Sequence, residues 1–501
     1  MDLEKYRLAA QKFISALDKE YYLHFAGHKD DLNTAALYEE YADLFSAANF
    51  RQLKKLKDEA SSPVEISRLS NLLQLCGEGL LENQVRDLSD EIAEQEARAT
   101  LDIDGKEVSF RYSEITLSNE QDKTKRDRLD DKRNEMVRKT FNPNLLNYWT
   151  TLHNEAKKIG FESYKDFFSF LKNEDFEQTA SQTNRLLDET RQLYEENFGA
   201  LLSGEISVSL QKSRKSDFAY LRRAKKFDKY FKKDLLVPVF KDTLMAMGID
   251  LERQPNIILD VEERKNKSPR AFCATVRVPD EIYLVVMPKG GQDDYEAMFH
   301  EGGHAQHFAN IKADMDFEFK FLGDNAVTEG YAFTLEHIMQ DGHWLTSFLK
   351  MPPEVAKEFL YFSNIIKLWF CRRYAGKLNY ELLLHDKNPV AGKDEAYREI
   401  LNGVNMMDYS EADYLKDVDE GFYCTNYIRA WIFEAQLKDY MLRKFGSDWV
   451  KHKKAGSFLK EIWSYGQKYS PVEILRQLDY KELDIDYLIN SLIEGVNKNK
   501  Q

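Results

Sequence analysis

Residues 293–307 read DDYEAMFHEGGHAQH, and the organisation of the whole chain can be worked out from this segment. Asp293 is followed three residues later by Glu296, a spacing similar to that of a capping box at a helix N-terminus. We therefore predict a helix over about 293–310. The histidines inside it make this helix the place to look for chemistry.

The predicted helix carries an HExxH motif. His300 and His304 are four residues apart, so both imidazoles lie on one face of a helix, where they can bind one metal ion. Glu301 is rotated about 100° from His300, beside the ion, and can act as a base on a water molecule rather than as a ligand. Gly302 and Gly303 each cost a helix about 1 kcal/mol relative to alanine, which predicts a close approach by a neighbouring helix or a ligand.

The segment before this helix has the pattern of strands. Residues 257–259 are a short apolar run, and 271–278 and 281–287 are β-branched and apolar runs separated by Pro279-Asp280. We expect a β-hairpin over about 271–287. The result would be a small antiparallel β-sheet beside the metal-binding helix.

A catalytic zinc site needs a third protein ligand and an open fourth position. Glu329, 25 residues after His304, is the candidate for that ligand, and Asp324 is the competing one. Glu336 lies two helical turns beyond Glu329, and we predict that it orients a ligand histidine.

The composition of the chain indicates the secondary structure, the partners and the location to expect for the whole protein. The 501 residues include only 23 glycines and 11 prolines, and most of the remaining pattern is amphipathic and helical. We predict a helical N-terminal lobe over 1–200 and a catalytic region over 201–501. The net charge of −14 argues against nucleic acid and anionic membranes as partners. Four widely spaced cysteines and no hydrophobic signal segment predict a cytoplasmic protein.

The segment His300–His307, followed by Glu329 and, seven residues later, Glu336, resembles the thimet oligopeptidase and oligoendopeptidase F family of zinc metallopeptidases. That family belongs to a wider group with the Taq-type carboxypeptidases and the angiotensin-converting enzymes. The resemblance implies a mainly α-helical fold in which two helical lobes flank a deep substrate channel. It also implies one Zn²⁺ per chain, bound by His300, His304 and Glu329.

A second, weaker similarity lies near the C-terminus. Residues 422–428 are similar to the tyrosine-bearing helix that faces the zinc in these enzymes, which implies that Tyr423 or Tyr427 stabilises the oxyanion. Many relatives place a histidine just before these tyrosines, but this chain has none between His385 and His452. The resemblance also implies that substrate lies along the strand 271–278.

Together these features predict a zinc-dependent metallopeptidase that hydrolyses internal bonds of short oligopeptides, by attack of a zinc-bound water with Glu301 as general base. Its partners would be peptide substrates, and the sequence leaves the oligomeric state open. The nearest alternative is a metallocarboxypeptidase of the same clan, with Arg429 as a candidate for binding the substrate's terminal carboxylate. A hydrolase of non-peptide amides and a non-enzymatic helical scaffold are more distant alternatives.

Overall fold

The computed structural model describes residues 1–103 and 105–500, and most of these residues are helical. The first part of the chain folds into the helices α1 Leu3–Phe25, α2 Thr34–Glu40, α3 Ala47–Glu59, α4 Pro63–Arg98, α5 Phe110–Asn119, α6 Lys123–Met136, α7 Asn142–Lys158, α8 Tyr164–Lys172, α9 Phe176–Glu189, α10 Arg191–Ile206, α11 Lys215–Arg222 and α12 Leu236–Ala246. The second part contains α13 Gln292–Ala309, α14 Phe317–Phe321, α15 Asn325–Glu336, α16 Gly342–Phe348, α17 Pro353–Leu384, α18 Asp394–Asn405, α19 Tyr423–Phe445, α20 Lys453–Trp463, α21 Pro471–Gln477 and α22 Ile485–Asn499. The predicted mainly α-helical fold class is confirmed.

Two small sheets interrupt the helices. The strands are β1 Thr100–Ile103, β2 Lys106–Ser109, β3 Ile257–Asp260, β4 Phe272–Arg277 and β5 Glu281–Val285. The antiparallel pair of β1 and β2 was not predicted, because the sequence there was interpreted as part of a helical region. The second sheet has the strand order β3–β5–β4.

The predicted antiparallel pairing in the second sheet is present in the hairpin but does not extend to β3. The hairpin of β4 and β5 is antiparallel, as predicted, but β3 pairs with β5 in parallel. The end of β3, Asp260, and the start of β4, Phe272, both pair with Val285, so the segment between them crosses one end of the sheet, and β4 then carries the chain back so that β5 runs in the same direction as β3. Strand direction depends on this return path, which the apolar pattern of residues 257–259 does not encode.

The predicted metal-binding helix is α13, but it does not begin with the expected capping box. Its N-cap is Gly291, with φ of 101°, a backbone conformation that favours glycine. Instead, the carboxylate of Asp294, in the first turn of the helix, accepts a hydrogen bond from the backbone N–H of Gly290 at 2.5 Å. Glu296 instead forms an ion pair with Arg222 at 3.2 Å.

Helix α15 lies between α13 and α19 and contacts both of them extensively. Through these contacts the metal-binding helix is joined to the helix that carries both predicted tyrosines. A continuous cluster of buried hydrophobic side chains includes members from Tyr6 to Val496, in both of the predicted regions. Residue 200 lies within α10, and the division of the chain there stays a prediction. Among the described residues, no helix has the length and apolar character needed to cross a bilayer.

Candidate active site

Three predicted ligand atoms converge where α13 packs against α15. The Nε2 atom of His300 lies 3.3 Å from Oε2 of Glu329, and the Nε2 atom of His304 lies 3.8 Å from the same oxygen. The three candidate ligand atoms all lie within 4.8 Å of one another. Zn²⁺ with bonds of about 2.0–2.1 Å holds tetrahedral ligands about 3.4 Å apart, so this spacing matches the requirement of a zinc site.

The donor set itself fits a metal ion. Two imidazoles and one carboxylate are a ligand set found at catalytic zinc sites. The Oε2 atom of Glu329 is buried and has no hydrogen-bond partner within residues 1–103 and 105–500. A buried carboxylate oxygen without a partner is unfavourable unless a cation neutralises it. The residues that would hold Zn²⁺ are therefore His300, His304 and Glu329.

Each candidate ligand histidine is oriented by a hydrogen bond at its other ring nitrogen. Nδ1 of His300 lies 2.8 Å from Oε2 of Glu336, which is the orienting contact that the sequence predicts. Nδ1 of His304 lies 2.8 Å from the hydroxyl of Thr328. A proton on each Nδ1 leaves the Nε2 lone pair free for a metal. Thr328 was not predicted from the sequence; its position directly before Glu329 was the available signal.

Burial and charge act differently on the two histidines. Burial lowers the pKa of His304 to about 4, so its imidazole is neutral at neutral pH. Burial also opposes the charged form of His300, but the nearby carboxylates of Glu329, at 3.3 Å, and Glu336, at 2.8 Å, raise the pKa of His300 well above its usual value. The acidic groups around this point favour a positive charge, which a divalent cation can supply.

Glu301 lies beside the ligand set and close to strand β4. The backbone N–H of Cys273 in β4 is near enough to its carboxylate to act against a rise in its pKa. Burial and the charge of Glu329 raise the pKa of Glu301 to about 7, although the charge of His300 opposes the shift. A carboxylate with this pKa can both accept and release a proton near neutral pH.

The two predicted tyrosines both face this centre from α19, but they make different contacts. The hydroxyl of Tyr423 donates to Oε1 of Glu329 at 2.8 Å. Tyr427 lies one turn further on, with its ring centroid 5.2 Å from that of Tyr423. Within the described parts of the chain, the hydroxyl of Tyr427 has no hydrogen-bond partner, so it can donate to another group.

Glycines allow the helices that carry the site to pack closely. A Cβ atom on Gly303 would lie 2.5 Å from the Cα atom of Ala332 in α15. A Cβ atom on Gly302 would lie 2.4 Å from the ring of Phe240 in α12. The predicted close approach at these two glycines is therefore present, and it brings Glu329 within reach of the histidines.

Asp324, the competing ligand, is engaged elsewhere. Its Oδ1 atom accepts from the backbone N–H of Ala326, and its carboxylate forms an ion pair with Arg429. Arg429 also contacts Glu174 at 3.4 Å. The guanidinium that was a candidate for binding a substrate carboxylate therefore already has two carboxylate partners.

The outer edge of β4 is partly covered. Asp18 of α1 accepts from the backbone N–H of Thr275 at 3.2 Å, and the Ser15 hydroxyl donates to the carbonyl of Val276. These contacts occupy groups that an added peptide strand would need. The expectation that substrate lies along all of 271–278 is therefore wrong for the second half of the strand.

Two cavities adjoin the candidate site. One of about 410 Å³ is lined by Tyr423 and by side chains of α4, including Glu78 and Glu82. The other, of about 270 Å³, is lined by His300 and Tyr427. Tyr423 and Tyr427 are thus in contact with different cavities.

Solved structures share this fold over nearly the whole chain. PZ peptidase A, in a structure with an inhibitor, has a TM-score of 0.65 and 16% identity, covering 99% of this chain and 97% of that one. A protein assigned as an oligoendopeptidase F has a TM-score of 0.68 and 15% identity, covering 98% and 90%. Another protein so assigned, from Bacillus anthracis strain Ames, has a TM-score of 0.63 and 16% identity, covering 99% and 94%.

At these identities the likeness establishes a common fold. The fold that the sequence resemblance implies is therefore confirmed. No family model and no curated protein sequence matches the chain.

Proposed function

We propose that this protein is a zinc-dependent metallopeptidase that hydrolyses internal bonds of short oligopeptides. The observation that carries the proposal is the convergence of His300, His304 and Glu329 on one point, with Glu301 beside it. The shared fold adds support, because the similar solved structures are described as peptidases. Membership of the oligoendopeptidase F group is part of this proposal.

When bound, zinc acts as a Lewis acid that lowers the pKa of water and polarises a carbonyl group. Glu301 takes one proton from the attacking water as the new C–O bond forms. It then gives this proton to the amide nitrogen as the C–N bond breaks, and an amine leaves. Tyr427 donates a hydrogen bond to the developing oxyanion, and Tyr423 holds Glu329 in place.

The proposal of internal cleavage is supported by the contacts of Arg429. A carboxypeptidase needs a cation that binds the terminal carboxylate of its substrate. Arg429 is paired with Asp324 and Glu174, which leaves it poorly suited to that role. The four cysteines are free thiols, and on this ground we propose a cytoplasmic location, which cell fractionation can check.

Metal content and activity test the proposal together. The purified protein should hold close to one zinc per chain by elemental mass spectrometry. His300→Ala and Glu329→Ala should each lose both the metal and the activity, because each removes one of three protein ligands. Full zinc retention in Glu329→Ala would assign the third ligand to another residue.

Product analysis separates the two kinds of peptidase. A quenched-fluorescent nonapeptide, its C-terminally amidated form and native casein are digested in parallel, and the products are identified by mass spectrometry. We expect equal internal cleavage of both peptides and intact casein. Stepwise loss of C-terminal residues that amidation abolishes would indicate a carboxypeptidase, and rapid breakdown of casein would contradict a restricted site.

A further inference from the structure

The 410 Å³ cavity on the Tyr423 side of the candidate active site is here called the acidic cavity. It is lined by α4, α7 and α8 and by the start of α19, and its charged lining residues are Glu78, Glu82, Asp324, Glu420 and Glu473, with Lys172, Arg429 and Lys468. Tyr423 lines the cavity and also donates to Glu329, a candidate metal ligand. A peptide bound across the metal site can therefore extend into the acidic cavity.

Three of these carboxylates lie close together. Glu78 and Glu82 are one turn apart on α4, and Glu420 approaches both from the segment before α19. Among the described residues, none of the three forms an ion pair. The amide of Gln74 donates to Glu78 at 2.9 Å, and tyrosine hydroxyls donate to Glu82 and Glu420. The partners of all three carboxylates are therefore neutral.

The three carboxylates destabilise one another's negative charge. Removal from bulk water inside the cavity, together with the charges of Glu78 and Glu420, raises the pKa of Glu82 to about 7. Burial also raises the pKa of Glu78, with Glu420 adding to the rise and Lys172 opposing it. Glu82 and Glu420 are nevertheless exposed to the open space of the cavity, so a ligand can reach them. A cation bound there would relieve the repulsion.

The other charged groups of the lining do not balance this excess. Asp324 and Arg429 form an ion pair with each other. Within the described parts of the chain, the basic groups left in the lining are Lys172 and Lys468, against Glu473 and the three clustered carboxylates. A partly enclosed space with such an excess of negative charge attracts positively charged ligands.

A neutral side chain in the same lining also lacks a donor. Gln467 is only 5% exposed, and its Oε1 atom has no hydrogen-bond partner among residues 1–103 and 105–500. A buried amide oxygen without a donor is unfavourable. Gln467 and the clustered carboxylates thus all offer acceptors. A lysine ammonium, an arginine guanidinium and a free α-amino group are ligands that offer only donors.

We propose that the acidic cavity binds a positively charged nitrogen group of the peptide substrate, at a position beyond the metal site on one side of the cleaved bond. The proposal rests on the peptidase function proposed above. The same chemistry fits the side chain of lysine or arginine and a free amino terminus. Glu78, Glu82 and Glu420 recognise the charge, so the enzyme cleaves at a fixed distance from it.

The test uses octapeptides blocked at both ends that carry one lysine, at each position in turn. Glutamine and glutamate at the same positions are the neutral and acidic comparisons. Chromatography gives kcat/KM, and mass spectrometry identifies the cleaved bond. We expect lysine to exceed glutamine by at least about tenfold at one position, because a charged donor bonds to a carboxylate more strongly than a neutral one does. In about 0.5 M NaCl this advantage should shrink, because salt screens the attraction.

A second series distinguishes the two sources of the charge. A peptide without lysine is compared with its amino terminus free and acetylated. An advantage of about tenfold for the free amino terminus, without one for lysine, assigns the cavity to the terminal ammonium group. The reverse result assigns it to a basic side chain, and either result supports the proposal.

Glu82→Gln is the variant that tests the cavity itself. It removes one negative charge but keeps an oxygen that can accept from the hydroxyl of Tyr38. We expect the ratio of kcat/KM between the charged and the neutral peptide to fall at least about fivefold. Asp90→Asn is the control, because Asp90 is an exposed carboxylate of the same helix outside the cavity lining. It should leave the ratio unchanged.

Glu78→Gln is a second variant in case Glu82→Gln fails to fold. Glu78 belongs to the same cluster and lines the same cavity, so its replacement should lower the ratio in the same direction. Zinc content and circular dichroism verify that each variant is folded.

Several results would overturn the inference. Equal rates for lysine and glutamine in both series, a preference for glutamate, or a preference for positive charge that both variants leave intact would each show that the acidic cavity does not bind a cation. The same holds if Asp90→Asn lowers the ratio as much as Glu82→Gln, because the attraction would then come from the net charge of the whole chain. Cleavage of peptides in any of these cases would leave the peptidase proposal standing. If the wild-type protein with bound zinc cleaves none of the peptides, the proposed function fails, and this inference fails with it.

Discussion

The two candidate ligand histidines are oriented by groups of different chemistry. Glu336 presents a carboxylate to Nδ1 of His300, whereas Thr328 presents a neutral hydroxyl to Nδ1 of His304. A carboxylate partner increases the basicity of the imidazole and strengthens its bond to a metal. The site is therefore asymmetric, with the stronger support on the histidine adjacent to Glu301.

At the level of single residues, Glu301→Gln should separate metal binding from chemistry. Glutamine retains the size of the side chain, but it cannot take a proton from water. We expect full zinc content and a loss of about a thousandfold in kcat. Elemental analysis and steady-state kinetics measure the two quantities. Activity within tenfold of wild type would contradict the role of Glu301 as base.

The tyrosine pair allows a matched comparison. Tyr427→Phe should reduce kcat by about 100-fold or more with little change in KM, because its free hydroxyl is proposed to bind only the transition state. Tyr423→Phe removes a hydrogen bond to Glu329 and should instead weaken zinc binding by about 10- to 100-fold.

Kinetics at saturating zinc, together with zinc titration against a competing chelator, distinguish the two roles. Equal effects of both substitutions on kcat and on zinc affinity would contradict the separate roles of Tyr427 in stabilising the oxyanion and of Tyr423 in supporting Glu329.

At the level of elements, the site depends on how closely α13 and α15 approach each other. The ligands are divided between these helices, so any change in their separation changes the distance from the histidines to Glu329. Gly303 fixes that separation, because the contact it makes is with backbone rather than with a movable side chain.

Gly303→Ala should therefore disrupt the metal site although alanine favours helices. The added methyl group would lie 2.5 Å from the Cα atom of Ala332, so α15 must move away. We expect loss of zinc binding and a lower melting temperature, measured by elemental analysis and circular dichroism. Gly204→Ala is the control, because that glycine is exposed in α10 with nothing within 4 Å of the added atom, and it should be neutral or stabilising by up to about 1 kcal/mol. Normal zinc content in Gly303→Ala would contradict this account of the packing.

Local patterns explain which elements could be predicted from the sequence. His300, His304 and Glu301 share one helix, so their spacing alone predicts their geometry, and α13 spans nearly the predicted range. The parallel pairing of β3 and the cover that α1 places over β4 involve residues distant in sequence. No short pattern encodes such contacts. Thr328 was missed for a related reason, since a hydroxyl next to Glu329 acquires its role only when α15 packs against α13.

At the scale of the whole molecule, a buried histidine pair joins the N-terminal helices to α17. Nε2 of His153 in α7 lies 2.9 Å from Nδ1 of His385, which follows the last residue of α17. Such a contact needs one donor and one acceptor nitrogen, which two neutral rings supply and two protonated rings cannot. Burial lowers the pKa of His153 to about 4 and holds the pKa of His385 well below its usual value. Burial therefore favours the neutral form of both rings in the folded protein.

This pair should make the folded protein sensitive to mild acid. Unfolded histidine takes up a proton near its ordinary pKa of about 6.5, whereas folded His153 does so only near pH 4. The stabilisation is thus fully present above about pH 6.5 and is lost as the pH falls towards 4, by up to about 1.4 kcal/mol per pH unit for each histidine. Urea unfolding at several pH values from 7.5 to 4.5 measures the free energy of unfolding.

His153→Gln should reduce the change in the free energy of unfolding with pH by up to about 1.4 kcal/mol per pH unit. The reason is that the variant lacks one group whose pKa differs between the folded and unfolded states. The histidines of the metal site contribute equally to wild type and variant, so they do not affect the difference. His343→Gln, at an exposed position, is the control for replacing a histidine by glutamine. An unchanged slope in His153→Gln would show that the histidine pair does not link folding to pH.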